Sequence, residues 1–280
     1  MYPGSGPTLV RGANERRMAV NRKMWDEAVP LHLASPFYDV PGFLRGASTL
    51  LPFEVAGMGP VRGRSLLHLQ CHIGLDTLSW ARRGARVTGV DYSAPAIAAA
   101  RRLARATRLP ARFVRSDLYS VPRHLSERFD VVYTGKGALC WLPDLPRWAG
   151  VIARMLRPGG RLYYAEDHPY AEMLESEPTG FVVRAGYFRR RPLRYSVPET
   201  YATTAAHMRN ATKYEWIHPV SEALRALRRA GLEVEEFTEY PFSLWPRYPR
   251  MRVDPEGHWR LPRAAGSFPL MYSVRARRHD

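Results

Sequence analysis

The sequence has few cysteines and no long apolar run. Its two cysteines, Cys71 and Cys140, form neither a disulfide framework nor a metal-binding spacing such as CxxC, so we expect no metal site. No run approaches the roughly 18 apolar residues of a membrane span. The N-terminal stretch "MYPGSGPTLVRGANERRMAV" also lacks the apolar core of a signal peptide. These absences predict a cytoplasmic protein without a membrane partner.

Lysine is also scarce, since it supplies only three of the 42 basic residues of a chain whose formal net charge is +16. Such a charge first suggests nucleic acid, because clustered cations release counterions from a phosphate backbone. A bias toward arginine and alanine is, however, typical of a GC-rich coding sequence, so we expect no nucleic-acid partner. Arginines concentrate at "YFRRRPLRY" and "RARRHD", which fits either a solvated surface or an entrance that favours anionic substrates.

The composition, 45% hydrophobic over 280 residues, predicts one large core with an elaboration. Glycine and proline at the start predict a disordered tail over residues 1–13. Residues 14–60 follow as an N-terminal helical cap, with one helix from Asn14 to Pro30, a loop, and a second helix around Ser48–Ala56. The main domain spans residues 61–280.

Strand and helix patterns alternate through the main domain. The predicted strands are 65–70, 85–90, 111–115, 129–134 and 160–166, and the predicted helices are 75–83, 94–107, 144–156 and 220–230. This alternation predicts a doubly wound, Rossmann-like α/β fold with a parallel sheet. The alternation stops at an aperiodic insertion, residues 167–217, and two closing strands without a helix between them predict an antiparallel edge pair.

Acidic residues follow two of the predicted strands, at the edge where ligands bind in a doubly wound sheet. Asp91 ends the second strand, where an acid can accept both ribose hydroxyls, and Asp117 follows the third, where an acid can accept the adenine amine. The turn after the first strand lacks the usual glycines, since "QCHI" precedes the single Gly74.

Five ordered stretches are similar to the motifs of the class I S-adenosylmethionine-dependent methyltransferases. They are "LLHLQCHIG", "VTGVDYS", "VRSDLYSVP", "FDVVYTG" and "MLRPGGRLYYAED", over roughly residues 65–166. The sequence more narrowly resembles a bacterial small-molecule subgroup with the wording "HLQCHxGxDTLSWAR". The resemblance implies a seven-stranded sheet whose last strand is antiparallel, with S-adenosylmethionine as cofactor.

Carried over by position, the resemblance implies a set of cofactor contacts. Asp91 holds the ribose, Ser116 and Asp117 the adenine edge, and Tyr92 and Leu118 sandwich the adenine ring. The methionine and ribose part lies against His68, Leu69, Gln70, Cys71, His72 and Gly74, with Thr134 after the fourth strand.

The first motif departs from the family pattern. His68 stands where an acid is usual, and Gln70 and His72 occupy glycine positions. A Cβ there limits φ and the approach of the backbone, but both side chains can donate hydrogen bonds to a carboxylate. His72 is equally compatible with an orientation toward solvent. Asp91 and Asp117 have the alternative of capping the following helices, and the cysteines that of packing near the cleft.

The substrate side gives weaker signals. His168 follows the fifth strand and is a candidate general base, with hydrogen bonding of the inserted segment as its alternative. Trp141, Tyr201, Tyr214 and His218 are candidates for substrate contact. The turn "TGKGALCW" lacks the Asn/Asp-Pro-Pro-aromatic signature of base-amino and glutamine methylation.

These patterns predict methyl transfer from S-adenosylmethionine to a small-molecule acceptor, beneath a lid made of the helical cap and the insertion. An NAD-dependent oxidoreductase and a basic RNA-binding module are the alternatives. The patterns predict neither the acceptor atom nor the oligomeric state.

Overall fold

A seven-stranded sheet forms the centre of the structure, a computed structural model that describes residues 7–178, 180–262 and 267–279. The strands in chain order are β1 (Ser65–Leu69), β2 (Arg86–Asp91), β3 (Ala111–Arg115), β4 (Phe129–Thr134), β5 (Leu156–Asp167), β6 (Leu174–Glu177), β7 (Gly180–Val183), β8 (Leu193–Ser196), β9 (Thr212–Glu215), β10 (Leu232–Tyr240), β11 (Arg252–Val253), β12 (Trp259–Arg260) and β13 (Met271–Arg278). The helices are α1 (Pro7–Ala34), α2 (Val40–Leu44), α3 (Pro52–Met58), α4 (Leu75–Arg82), α5 (Ala94–Thr107), α6 (Val121–His124), α7 (Leu145–Met155), α8 (Pro169–Glu172) and α9 (Val220–Arg229).

The strand order in the sheet is β10-β13-β5-β4-β1-β2-β3. Strands β1 to β5 are parallel to one another, whereas β13 is antiparallel to both β5 and β10. The predicted doubly wound α/β fold with an antiparallel last strand is therefore confirmed. The chain reverses its winding between β1 and β4, and ligands bind beside such a point.

Apolar strands bury both faces of the sheet. In β1, Leu66 contributes to a core beneath Trp80 of α4, while Leu67 on the opposite face joins a core with Trp148 of α7 and Leu227 of α9. Leu66, Trp80 and Trp148 are fully buried. Burial on both faces explains why the strands read as continuous apolar runs.

Local capping sets several helix boundaries as predicted. The Ser93 hydroxyl accepts a hydrogen bond from the Ala96 N–H, and Pro95 occupies the first turn of α5, which spans the predicted residues. Asp144 caps α7 in the same way through the Arg147 N–H.

The N-terminal part differs from its prediction. Helix α1 begins at Pro7 rather than Asn14 and continues past Pro30 to Ala34. Pro30 is exposed, and the last turn of the helix continues because Val29 and His32 on either side of it are buried. Of the predicted disordered tail, residues 1–6 lie outside the described part of the chain.

A short helix, α2, replaces part of the predicted loop before the main domain. The Asp39 carboxylate accepts the Gly42 N–H and Pro41 lies in the first turn, so a local cap forms this helix. The second predicted helix lies a few residues later than expected, as α3, also with a proline in its first turn.

The insertion after β5 contains regular structure that its aperiodic sequence did not predict. It holds α8 and two antiparallel hairpins, β6–β7 and β8–β9. The Pro-rich segment between β10 and β13 forms a third hairpin, β11–β12. Among the helices of the described ranges, none is long and apolar enough to cross a membrane.

Helix α1 is attached to the insertion through two side chains. The Asn21 amide donates to the Tyr214 carbonyl at 2.7 Å and accepts the Tyr214 N–H at 2.8 Å. Nearly two turns later, the Glu27 carboxylate accepts the backbone N–H groups of Arg209 and Asn210. Polar side chains therefore fasten the N-terminal helix to strand β9 and the residues before it.

Replacing Asn21 with alanine tests this attachment. The change leaves the N–H and carbonyl of Tyr214 without their partner in a site where Asn21 is 1% exposed, so we expect a loss of about 2 kcal/mol in the free energy of unfolding. Urea denaturation measures this loss. The exposed Lys23→Ala on the same helix should stay within about 0.5 kcal/mol of the wild type. Equal stability of the two variants would show that the attachment contributes nothing.

Candidate functional site

A cavity of about 1220 Å³ lies over the carboxyl ends of the parallel strands. Its floor is the turn after β1, and its walls come from α1, the residues after β4 and the insertion. Twelve of the residues predicted as site residues line it: His68, Leu69, Gln70, Cys71, His72, Gly74, Asp91, Tyr92, Ser116, Leu118, Trp141 and Tyr201.

The turn after β1 adopts a backbone conformation that normally requires glycine. Gln70 and His72 have φ of 57° and 47°, in the left-handed region, and Gly74 follows at 81°. A Cβ at Gly74 would approach the side chains of Ala100 and Phe113 to 2.8 Å, so only this position must be glycine. The substituted turn therefore keeps the left-handed backbone while it carries two polar side chains.

Asp91 connects this turn to the end of β2. Its carboxylate accepts the N–H of His72 at 2.9 Å and the N–H of Ser93 at 2.9 Å, and the residue is 7% exposed. Burial raises the pKa of Asp91 to about 6, although the backbone N–H groups favour the charged form. The carboxylate is thus ionised at neutral pH and lines the cavity.

The side chain of His72 is half-buried and pairs with a second imidazole. Its Nε2 lies 2.9 Å from Nδ1 of His32 on α1, so the two imidazoles share a hydrogen bond. Desolvation lowers the pKa of His32 to about 4 and that of His72 to about 3, which keeps both rings neutral. The ring of Tyr38 stacks on His32, and the Tyr38 hydroxyl bonds to that of Tyr201 in the insertion.

Hydrogen bonds also fix His68 and Gln70, the other two positions at which the first motif departs from the family pattern. His68 is 3% exposed, its Nδ1 lies 2.7 Å from the Thr77 hydroxyl, and burial lowers its pKa to about 4. The Gln70 amide donates to the Ala138 carbonyl at 3.0 Å. Nε2 of His68 and Oε1 of Gln70 are buried and have no hydrogen-bond partner among the described residues.

A buried charge cluster lies beside His68. The Lys136 ammonium is 2.9 Å from the Glu54 carboxylate and 3.1 Å from that of Asp76, and the Tyr133 hydroxyl also donates to Glu54. The Glu54 side chain is fully buried. Although burial favours the neutral amine, the two carboxylates raise the pKa of Lys136 above its usual range.

A second charge cluster lines the cavity beyond β5. Arg247 is 2.6 Å from the carboxylate of Asp167 and 2.8 Å from that of Glu172. Lys213 is 2.7 Å from the carboxylate of Glu215. Burial is the main cause that raises the pKa of Asp167, to about 6, and that of Glu215.

The predicted general base does not line the cavity. His168 caps α8, because its Nδ1 accepts the Tyr170 N–H, and its Nε2 lies 3.1 Å from the Glu239 carboxylate. The bond to Tyr170 is the kind of hydrogen bond within the inserted segment that the sequence analysis gave as the alternative to a general base. The chain turns after Asp167, so the neighbouring Asp167 side chain lines the cavity instead.

Four other candidates also lie outside the cavity lining. The Asp117 carboxylate accepts the Ser120 N–H and so caps the single helical turn that follows it. Capping was the alternative role given to Asp117 in the sequence analysis. The Thr134 side chain is fully buried. The Tyr214 N–H donates to the Asn21 side chain, and Nε2 of His218 lies 2.7 Å from the Leu142 carbonyl.

Several cavity residues were not predicted. They are His32, Tyr38, Asp76, Lys136, Glu172, Lys213, Glu215 and Arg247, and they come from the N-terminal cap, α4, the turn after β4, the insertion and the Pro-rich segment before β11. One signal was available, since two of the three lysines in this arginine-rich chain, Lys136 and Lys213, lie in the cavity.

One group of ligand-type side chains falls outside the cavity lining. Asp254, Glu256 and His258 bring their potential ligand atoms within 4.8 Å of one another. The Asp254 carboxylate already pairs with Arg260 at 2.6 Å and accepts two backbone N–H groups, so it acts as the cap of the β11–β12 turn.

Comparison with known proteins identifies similar sequences and folds. Residues 67–164 match the family described as "Methyltransferase domain". A ubiquinone biosynthesis O-methyltransferase of Photorhabdus laumondii is 28% identical over 154 residues, 54% of this chain and 59% of the relative. A trans-aconitate 2-methyltransferase of Deinococcus radiodurans is 35% identical over 132 residues, 45% of this chain and 48% of the relative.

Among solved structures, an S-adenosylmethionine-dependent methyltransferase from Mesorhizobium loti shares the fold. It superposes with a TM-score of 0.58 and 24% identity, covering 84% of this chain and all of the other. The chain spans about half the length of the curated relatives it matches, 59% and 48% of the two named above.

The Lys136 cluster gives a stability prediction. Lys136→Met leaves the buried Glu54 carboxylate without its cation, which should cost about 3–5 kcal/mol of unfolding free energy. The double variant Lys136→Met/Glu54→Gln should recover part of that loss, because the fully buried Glu54 is then neutral and only the partly exposed Asp76 carboxylate stays charged. Both are measured by urea denaturation, with Lys23→Met as the exposed control. A single variant as stable as the control would refute the pairing.

Proposed function

We propose that this chain, whose residues 67–164 form a methyltransferase domain, transfers the methyl group of S-adenosylmethionine to a small-molecule acceptor. The observation that carries the proposal is the ionised Asp91 carboxylate at the end of β2, which lines a cavity beside the winding reversal of the sheet. An acid at this position accepts ribose hydroxyls in nucleotide-binding sheets.

The residues of the cavity fit this cofactor. Asp91 offers acceptor oxygens for the ribose, and Tyr92 and Leu118 line the same cavity. The buried Oε1 of Gln70 can accept from an ammonium group such as that of the methionine part. The volume of about 1220 Å³ exceeds the roughly 1,000 Å³ of large single-ligand pockets, which leaves room for an acceptor.

The chemistry divides between cofactor and protein. When bound, S-adenosylmethionine supplies a methyl group on a positively charged sulfur. The protein aligns the acceptor with that methyl and excludes water. We infer that α1, the segment after it and the insertion act as the lid, because Asn21 of α1 bonds to Tyr214 and the hydroxyl of Tyr38, between α1 and α2, bonds to that of Tyr201.

Asp167 takes the place of His168 as the proposed proton acceptor. It ends β5, lines the cavity and has a pKa of about 6, so it is ionised at neutral pH. The neutral His32 and His72 hold each other through their shared hydrogen bond. We propose that this pair positions the turn rather than exchanging protons.

The relatives support a small-molecule acceptor, since the names of the two described above specify ubiquinone biosynthesis and trans-aconitate. The bacterial subgroup, the cytoplasmic location and the lack of a nucleic-acid partner stay predictions.

Calorimetry with S-adenosylmethionine and with NAD tests the cofactor class. We expect binding of the first only, and Asp91→Asn should weaken it by about 1–3 kcal/mol because the ribose loses a charged acceptor. Asp117→Asn is the matched control, since Asp117 does not line the cavity, and it should leave the affinity unchanged. No binding of S-adenosylmethionine at millimolar concentration would refute the function, and equal effects of the two variants would refute the role of Asp91.

The pKa of Asp91 gives a pH prediction. Because the ionised carboxylate is the better hydrogen-bond acceptor, affinity for S-adenosylhomocysteine should rise as the pH increases through about 6 and then level off. Titrations across that pH measure the profile for wild type and Asp91→Asn. The rise should be absent in the variant, and a rise of equal size there would assign it to another group.

A further inference from the structure

Charged side chains are distributed unevenly between the cavity and the rest of the chain. The cavity is lined by eight acidic residues: Asp39, Asp76, Asp91, Asp167, Glu172, Glu175, Glu199 and Glu215. Among the described residues, three lysines and arginines line it: Lys136, Lys213 and Arg247. The whole chain, in contrast, has 42 basic and 26 acidic residues. The cavity is therefore acidic inside a basic protein, and its lining includes a single arginine of the described part.

The imbalance extends to the half of the cavity beyond β5. There the carboxylates of Asp167, Glu172 and Glu215 face two cations, Arg247 and Lys213. One negative charge is left over in a region where burial raises the pKa of Asp167 and Glu215. A ligand with one positive charge would complete the set, whereas an anion would meet repulsion.

A buried donor points to a ligand at the same place. The Arg247 side chain is 7% exposed and lines the cavity, and its Nε has no hydrogen-bond partner among the described residues. Buried donors of this kind are normally paired, so a bound molecule with an oxygen acceptor would satisfy it.

Aromatic rings already hold an ammonium group in this half. The Lys213 Nζ lies 5.8 Å from the centroid of Trp141 and 5.4 Å from that of Tyr195, while Glu215 pairs with it. Ring faces together with a carboxylate are the surroundings that stabilise amines in proteins. This half of the cavity is therefore lined by side chains of the types that stabilise an ammonium group.

We propose that the acceptor carries an ammonium group, held by the Asp167–Glu172–Glu215 carboxylates, and an oxygen within reach of the Arg247 Nε. The inference rests on the proposed function, because it names the substrate class of the same site. A cationic acceptor is incompatible with one interpretation of the arginine clusters in the sequence, that they form an entrance favouring anionic substrates.

Matched amine and carboxylate probes test this proposal. The two pairs are tyramine with 3-(4-hydroxyphenyl)propionate and tryptamine with indole-3-propionate, titrated by calorimetry at neutral pH with saturating S-adenosylhomocysteine. At least one amine should bind about tenfold more tightly than its carboxylate partner. No preference for the amine in either pair, including failure of all four probes to bind, overturns the proposal.

Variants locate the ammonium group. Asp167→Asn and Glu215→Gln should each reduce the affinity of the preferred amine about tenfold. Neither should change the affinity for 4-ethylphenol, which lacks the charge. Glu127→Gln, a carboxylate outside the cavity lining that pairs with Arg112, is the control and should change neither affinity. If circular dichroism shows that Asp167→Asn does not fold, Glu172→Gln replaces it. Unchanged amine affinity in the folded variants refutes the assignment.

The two proposals can fail separately. Binding of S-adenosylmethionine without any amine preference would leave methyl transfer in place and remove the amine acceptor. An amine preference, measured also without S-adenosylhomocysteine, in a protein that binds no S-adenosylmethionine would remove the methyltransferase function and keep the amine site.

Discussion

Asp91 accepts backbone N–H groups from His72 and Ser93, so one carboxylate joins the end of β2, the turn after β1 and the start of α5. The turn needs this support because Gln70 and His72 hold left-handed backbones without being glycine. The position of His72 in turn brings its ring to His32 on α1. The floor of the cavity and its N-terminal wall thus depend on the same buried acid.

Much of the fold was predictable because its signals are local. The bounds of β3, β4 and α5 agree with their predictions, since apolar runs and a Ser93 cap with Pro95 define them over a few residues. The course of α1 past Pro30 was not predictable, because buried contacts to distant residues outweigh the lost hydrogen bond. The hairpins of the insertion likewise depend on partners that the sequence pattern does not reveal.

The site was predictable where a strand end fixes the position of a side chain, as it does for Asp91 and the residues of the first turn. Prediction failed one residue beyond β5, where His168 turns to cap α8 while Asp167 faces the cavity. The direction of a side chain just outside a strand depends on the local turn. The charged residues of the cavity come from separate parts of the chain between Asp39 and Arg247, so their balance becomes visible only after folding.

The bonds between Asn21 and Tyr214 join residues that are 193 positions apart. During synthesis at about 5–20 residues per second, helix α1 would leave the ribosome roughly 10–40 s before strand β9 exists to receive it. Until then Met24 and Ala28, which pack against Met208 in the folded protein, lack that partner. The ligand cavity is consequently among the last parts of the protein to form, and a nascent chain that is interrupted between residues 167 and 214 has the sheet strands β1 to β5 but no closed site.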